Sequence, residues 1–429
     1  MRQAFRASIL HCLSDPGEAS LESAYEYFED GVLIVEDGHV VEAGHAERLL
    51  AGLSNDVKLT ELPGKLIVPG FIDCHVHCPQ LDIIASYGEQ LLDWLNRYAY
   101  PVEARFSDPE YARDVANVFL DELLNNGTTT ALVFGTVHAH SADAIFEAAA
   151  ARDMRLIAGK VLMDCNCPEE LMDTATSGYN DSKALIERWH GHARLGYAIT
   201  PRFALTSTEE QLRAAGTLAR EYPSVWIHTH LAENTEEVRQ IARQFPSSRS
   251  YLDVYDQFDL LRERSVFAHC LHMDEQDRKS MAEKGGSAAF CPTSNLFLGS
   301  GLFDLAAMRD ARIRCGLGTD VGGGTSLSVL KTASEAYKVL HLQDQALPPM
   351  QALYLATLGA AGALHLEDHI GNFLPGKEAD FVVLDPNATR LTARRIAAAE
   401  TIEESFFALL TLADDRHVAA TYIRGKALK

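Results

Sequence analysis

LIVPGFIDCHVH, residues 66–77, is an apolar run that ends in two histidines spaced two apart. Side chains two apart on a strand point to the same side, so His75 and His77 present both imidazoles from one strand end. Seven further apolar runs follow: TTALVFGTV (129–137), RLIAGKVLMD (155–164), RLGYAITPR (194–202), VWIHTHLAE (225–233), SVFAHCLHM (265–273), SAAFCP (287–292) and RCGLGTDVG (314–322). Helical patterns lie between most of them, the order expected of repeated βα units and a parallel sheet. After the first run, Asp108 reads as a helix N-cap, Pro109 as the first helical residue and Gly127 as the residue past the end. Before the fifth, Ser207 and Glu210 have the spacing of a capping box. Eight strand-helix repeats over roughly 300 residues predict a closed α/β fold, a (β/α)8 TIM barrel, in preference to an open sheet.

Outside these runs the pattern is different. FRASILHCL (5–13) and GVLIVEDGHVVEAG (31–44) read as strands, and Asp37-Gly38 between Val- and Ile-rich stretches is a hairpin signal. ADFVVLD (379–385) and VAATYIRGKAL (418–428) are strand-like as well. The two ends are therefore expected to combine into one small β-sandwich-like domain, residues 1–65 plus 371–429, around a barrel of residues 66–370.

Composition narrows the function classes. The chain has 429 residues, 60 of them Asp or Glu against 38 Lys or Arg, for a net charge of −22. That charge repels phosphate backbones and anionic headgroups, so neither nucleic acid nor a membrane surface is an expected partner. No run reaches the roughly 18 uninterrupted apolar residues of a membrane-spanning helix. The apolar stretch Ala7–Leu10 is too short for a secretory segment. Eight cysteines without a C-x-x-C spacing fit a reducing cytoplasm better than a disulfide scaffold.

Seventeen histidines include four H-x-H pairs, so spacing alone selects nothing. In a barrel, reactive groups sit at the C-terminal ends of the strands. That test picks His75 and His77 from the first run, His230 and Glu233 from the fifth, His269 from the sixth and Asp320 from the eighth. Imidazoles and a carboxylate converging from four strands suit zinc or ferrous iron. His228 shares a face with His230 one layer deeper, which favours an interior role over ligation. His138/His140 and His190/His192 fall in loop or turn contexts, and His272 is expected to face away from His269. Some two-metal barrel hydrolases carry a bridging lysine on the fourth strand. Here Lys160 is on the third run while the fourth ends in Arg202, so one metal per chain is expected.

PGFIDCHVH (69–77), HTHLAE (228–233), AHC (268–270) and GTD (318–320) resemble the amidohydrolase superfamily, in the branch that deaminates purines and related rings. More narrowly, HCPQ (77–80), YGEQLLDWL (87–95), TTTALVFGTVH (128–138), TPRF (200–203) and CPTSNLFLGSG (291–301) are similar to its guanine-deaminating members. Cys74 and Cys78 depart from the usual pattern and are expected to pack, not to ligate. The cytidine-deaminase type of zinc site, with its P-C-x-x-C element, is set aside, because Cys291 precedes Pro292 and no such element occurs.

The resemblance implies hydrolysis of guanine to xanthine and ammonia in purine catabolism and salvage, with one Zn2+ per chain (Fe2+ as the alternative) and a homodimeric cytoplasmic protein. It implies His75, His77, His230 and Asp320 as ligands, Asp320 also as proton acceptor, Glu233 as proton shuttle and His269 as the group that holds the water or polarises the developing tetrahedral centre. Arg202, Gln80 and Phe203 are expected to read the ring, donating to the carbonyl, pairing the amide edge and stacking, beside His230, Glu233 and Asp320. Trp94 and Tyr87 are placed at the mouth. The alternatives are a deaminase of another aminated heterocycle (8-oxoguanine, a pterin, a triazine) or an inactive metal-binding scaffold.

Overall fold

The structure, a computed structural model, describes residues 1–17, 21–88 and 90–429. Position 89 of the YGEQLLDWL stretch lies outside the described residues. In chain order the strands are β1 (Arg2–Cys12), β2 (Tyr25–Glu36), β3 (His39–His45), β4 (Lys58–Pro69), β5 (Phe71–His77), β6 (Thr128–Phe134), β7 (Arg155–Gly159), β8 (Val161–Leu162), β9 (Leu195–Pro201), β10 (Trp226–Leu231), β11 (Ser265–His269), β12 (Ser287–Phe290), β13 (Arg314–Leu317), β14 (Phe381–Leu384), β15 (Val418–Ile423) and β16 (Lys426–Ala427). They form two sheets. One runs β5-β6-β7-β9-β10-β11-β12-β13, all parallel, with β8 beside β9; the other is a single seven-stranded sheet, β16-β15-β14-β4-β1-β2-β3.

All eight apolar runs contain a strand of the parallel barrel, and helices cover them. The first run divides at Gly70. Leu66 and Pro69 pair with Leu384 and Phe381 of β14, so the end of β4 belongs to the terminal sheet and the barrel begins at Phe71. A Cβ at Gly70 would lie 2.0 Å from Thr129 Oγ1, which is why the crossing point between sheets is glycine. The β4–β14 pairing also joins the two chain ends in one sheet. The Asp37-Gly38 turn takes φ of 50° and 82°, the paired positive φ of a two-residue hairpin loop. Between β14 and β15 the chain is helical at Arg390–Ile396 and Ile402–Leu412, and Phe406, Leu409 and Leu410 bury into the core that surrounds the barrel.

Local capping follows the sequence in one place and shifts in another. Asp108 accepts from the Glu110 amide at 2.9 Å and starts the helix Pro109–Asn125, whose Val115, Ala116, Phe119, Leu120 and Leu123 are buried at helical spacing. The expected Ser207–Glu210 box is not formed. Thr208 is the cap instead, accepting from the Gln211 amide at 3.2 Å, because Asp164 holds the Thr208 amide and hydroxyl at 2.7 and 2.6 Å.

Leu156, Tyr197, Ile227 and Phe267 bury in the larger core, while their neighbours Ile157, Ala198, Trp226 and Val266 form a separate cluster with Ala360 and Leu364. Alternation thus puts these clusters on opposite faces of the barrel wall. His228 and His230 follow Trp226 in steps of two, onto the inner face. Strands β13 and β5 meet without a regular ladder. The chain just past β13 closes the barrel: the Asp320 amide donates to the His75 carbonyl at 2.8 Å, and the His77 amide to the Val321 carbonyl at 2.9 Å. Asp73, fully buried, accepts from the Thr319 amide (3.0 Å), the Thr319 hydroxyl (2.5 Å) and the His75 amide (3.1 Å).

At the other end of the barrel, Glu378 accepts from Arg155 at 2.5 Å and from Arg194 at 2.6 Å, and Arg194 also pairs with Asp380. Burial would raise the Glu378 carboxyl, but Arg155 and Arg194 outweigh it and lower it from 4.5 to about 2. An acid depressed in the folded state contributes stability that is full above 4.5 and disappears as pH falls toward 2, worth about 3 kcal/mol. Glu378→Gln is expected to lower neutral-pH stability in urea and to flatten the acid loss within that window. Identical acid slopes for the two proteins would show that the network contributes nothing.

Candidate active site

Five groups meet inside the barrel mouth. His77 Nε2 is 3.3 Å from His75 Nε2 and 3.2 Å from His230 Nε2, and Asp320 Oδ1 lies 3.1 Å from His75 Nε2 and 3.2 Å from His77 Nε2. One donor atom each from His75, His230, His269 and Asp320 falls within 4.8 Å of the others, and all four residues are buried. Among the described residues this is the grouping of His, Cys, Asp and Glu with metal-holding spacing. His269 and Asp320 both adopt left-handed backbone, φ 72° and 49°, at their strand ends. Such conformations cost roughly 1–3 kcal/mol each and persist where the surroundings hold them.

The outer ring nitrogens are engaged. His230 Nδ1 lies 2.6 Å from the Arg202 carbonyl and His269 Nδ1 2.8 Å from Asn295 Oδ1, so both donate outward and turn the Nε2 lone pair inward. His75 Nδ1 is 2.8 Å from His228 Nε2, the deeper supporting position expected of His228. Burial pushes the His75, His228 and His230 imidazoles down and His77 to about 4, so all four are neutral near pH 7. Burial alone would raise Asp320, but its contacts with His75 and His77 hold it well below the usual carboxylate range. Outward donation leaves the His230 and His269 Nε2 lone pairs turned inward, and His269 Nε2 is buried without a hydrogen-bond partner. This donor set fits a divalent cation of the zinc or ferrous type.

A cavity opens beside the cluster, lined by Gln80, Arg202, Phe203, His230, Glu233 and Asp320, with Trp94 among the apolar residues of its wall. Gln80, Arg202 and Phe203 thus meet His230, Glu233 and Asp320 in one cavity, whereas Tyr87, expected at the mouth, is 66% exposed and does not line it. Glu233 Oε2 is 3.4 Å from His269 Nε2, and its Oε1 accepts from Ser300 Oγ at 3.2 Å. Burial and the Asp320 charge push the Glu233 carboxyl well above its ordinary range. Glu103, which sequence reasoning missed, joins the ring-reading pair: Oε2 accepts from Arg202 Nη1 at 2.5 Å and Oε1 from Gln80 Nε2 at 2.9 Å. Burial opposes the Arg202 charge, and Glu103 restores it. Gln80 Oε1 accepts from the Gly322 amide at 3.1 Å, so one Nε2 hydrogen remains for a ligand.

Other expectations resolve individually. His140 contacts the Phe106 carbonyl at 2.6 Å and His190 the Ser224 hydroxyl at 3.0 Å, away from the cluster. Lys160 gives its ammonium to Asp173 at 2.6 Å. His272 Nε2 donates to the Ser300 carbonyl at 3.1 Å. Cys74 and Cys78 are fully buried and their thiols pushed up by burial, in keeping with packing. Phe134, also missed, stacks on His77 with centroids 4.6 Å apart. Glu103 lies outside every pattern used; Asp73 shares the strand and face of His75, and Asn295 and Ser300 fall inside the 291–301 stretch, without a role having been assigned to any of the three.

Residues 66–428 match the family described as amidohydrolase. Guanine deaminase of Escherichia coli (strain K12) is 49% identical over 418 residues, 97% of this chain and 95% of that protein. The solved E. coli structure superposes with a TM-score of 0.97, covering 100% of this chain and 99% of the other. The crystal structure of guanine deaminase from Bradyrhizobium japonicum, 36% identical, gives 0.96 over the same shares. Homo sapiens guanine deaminase is 31% identical over 378 residues, 84% of this chain and 82% of that one. The chain belongs to the amidohydrolase family and, within it, to the guanine deaminases.

Proposed function

We propose that this protein hydrolyses guanine to xanthine and ammonia at a single metal centre. The observation that carries the reading is Arg202, kept charged in a buried pair with Glu103 and facing the same cavity as Glu233 and Asp320. Arg202 donates to the guanine carbonyl and Gln80 Nε2 to its amide edge, while Phe203 packs on the ring. Adenine, lacking that carbonyl, would leave the guanidinium unpaired and is rejected.

One divalent ion, zinc in this proposal, held by His75, His77, His230 and Asp320, would lower the pKa of a water from about 15.7 to about 7 and so supply a nucleophile at neutral pH. Asp320 accepts a proton from the attacking water. His269, with its Nδ1 hydrogen given to Asn295, offers the Nε2 lone pair and holds that water by accepting a hydrogen bond. Polarising the tetrahedral centre would need an Nε2 proton, so the water-holding role is the one proposed. Glu233, protonated, donates from Oε2 to the ring nitrogen beside the amino-bearing carbon, is reloaded with the proton that Asp320 took from the water, and gives that one to the departing amine as the C–N bond breaks; the remaining hydroxyl proton returns to Glu233 as the new carbonyl forms. Oxygen enters from water and nitrogen leaves as ammonia.

The same proposal includes a homodimer in the cytoplasm serving purine catabolism. Among the described residues no helix is long and apolar enough to cross a membrane, and the charge of −22 agrees with a small-molecule substrate without nucleic acid. It also includes two domains, a composite of the terminal segments and a barrel, with the first seam moved from residue 65 to Gly70.

An ammonia-release assay over guanine, 8-oxoguanine, a pterin and a triazine should give turnover on guanine foremost. Release from the others alone would replace the substrate, and no release with metal bound would leave a scaffold. Chelation should abolish activity and one equivalent of zinc restore it; two ions per chain by metal analysis would overturn the mononuclear site. Glu233→Gln is expected to cut kcat roughly 10²- to 10⁴-fold at unchanged metal content. Arg202→Ala should lower kcat/KM for guanine by roughly 10²-fold or more with the metal retained, and an unchanged value would remove Arg202 from substrate recognition.

A further inference from the structure

Glu233 has two carboxylate oxygens and the proposed reaction uses one. Oε2 is the oxygen near His269 Nε2; Oε1 is turned away onto the Ser300 hydroxyl. A carboxylate at the start of a helix rotates about its terminal torsion unless something holds it, since that torsion has a broad minimum. Ser300 is itself held at two points: its amide donates to the Asn295 carbonyl at 2.8 Å, and its carbonyl accepts from His272 Nε2 at 3.1 Å. Gly299 and Gly301 on either side have φ of 63° and 147°, so the turn that presents the hydroxyl needs glycine at both flanks. Asn295, in the same segment, holds His269 through Nδ1. One short stretch after β12 thus orients both partners of the Glu233–His269 contact. Ser300 is 5% exposed and does not line the cavity, so it meets Glu233 without meeting a substrate there.

We infer that Ser300 is a positioning residue: its hydroxyl, on a backbone held by His272 and by the Asn295 carbonyl, fixes which oxygen of Glu233 faces the reacting atoms. The inference rests on the proposed role of Glu233 and goes further by naming what aims it. Loss of a single buried hydrogen bond of this kind should lower kcat up to roughly ten-fold.

The test compares Ser300→Ala, Ser300→Thr, Glu233→Gln and the Ser300→Ala/Glu233→Gln double variant, each checked for metal content and thermal midpoint. Ser300→Ala should lose kcat with little change in KM, and Ser300→Thr, which keeps the hydroxyl, should recover most of it. The double variant should be no slower than Glu233→Gln alone, because a residue acting only through Glu233 has nothing left to aim. Unchanged kcat in Ser300→Ala, a loss that falls on KM, or a second full loss in the double variant would overturn the inference. Full activity in Glu233→Gln would overturn the role of Glu233 itself; impaired Glu233→Gln beside wild-type Ser300→Ala would overturn Ser300 alone.

Discussion

Everything at the site depends on how the barrel is closed. Strands β13 and β5 are joined by the chain just beyond β13, through the Asp320 amide on the His75 carbonyl and the His77 amide on the Val321 carbonyl. These two backbone bonds set the carboxylate of Asp320 against imidazoles that precede it by more than two hundred positions. Asp73 strengthens the same seam by taking three donors from Thr319 and His75. The left-handed turn at Asp320 is the local cost of leaving the strand at the level of the histidines. Barrel closure and ligand assembly are therefore one event, and a loosened seam would scatter the donors.

The electrostatics follow from burial. Neutral imidazoles and an ionised aspartate give a pocket with one formal negative charge and several inward lone pairs, which is the complement of a small cation. The neighbouring cavity has the opposite need. Arg202 would be costly to bury alone, and Glu103 offsets that cost while also orienting Gln80. Breaking either half of such a pair leaves an uncompensated charge, so the two carboxyl–nitrogen contacts act as a unit. Glu233 stands between the two regions with its carboxyl pushed toward the protonated form by burial and by Asp320.

Much of this was readable in the chain because barrel chemistry gathers at strand ends. His75, His77, His230, Glu233, His269 and Asp320 follow from the last residues of apolar runs, and Gln80, Arg202 and Phe203 from resemblance around them. The hairpin at Asp37-Gly38 and the Asp108 cap followed from turn and cap chemistry. What escaped was set by tertiary placement. Glu103 is an unremarkable acid in a short helix until it meets Arg202. Asn295, in the short helix Pro292–Phe297, and Ser300, in the turn after it, act through a course that spacing does not reveal. The Ser207 cap moved to Thr208 because Asp164, distant in sequence, competes for it, and the split at Gly70 is invisible because both sheets want the same apolar residues. The His272 contact with the Ser300 carbonyl is one that strand alternation does not address, since the strand ends at the left-handed His269 and Cys270.

The pairing of β4 with β14 has a consequence for synthesis. Pro69 must wait for Phe381. At ~5–20 residues per second, the inner edge of the N-terminal strands stays unpaired on the ribosome for tens of seconds after it emerges. During that interval Leu66, Ile67 and Val68 present an open, apolar strand edge, the kind that recruits other chains. Completion of the terminal sheet thus has to await the last tenth of the chain, through a contact far from the chemistry.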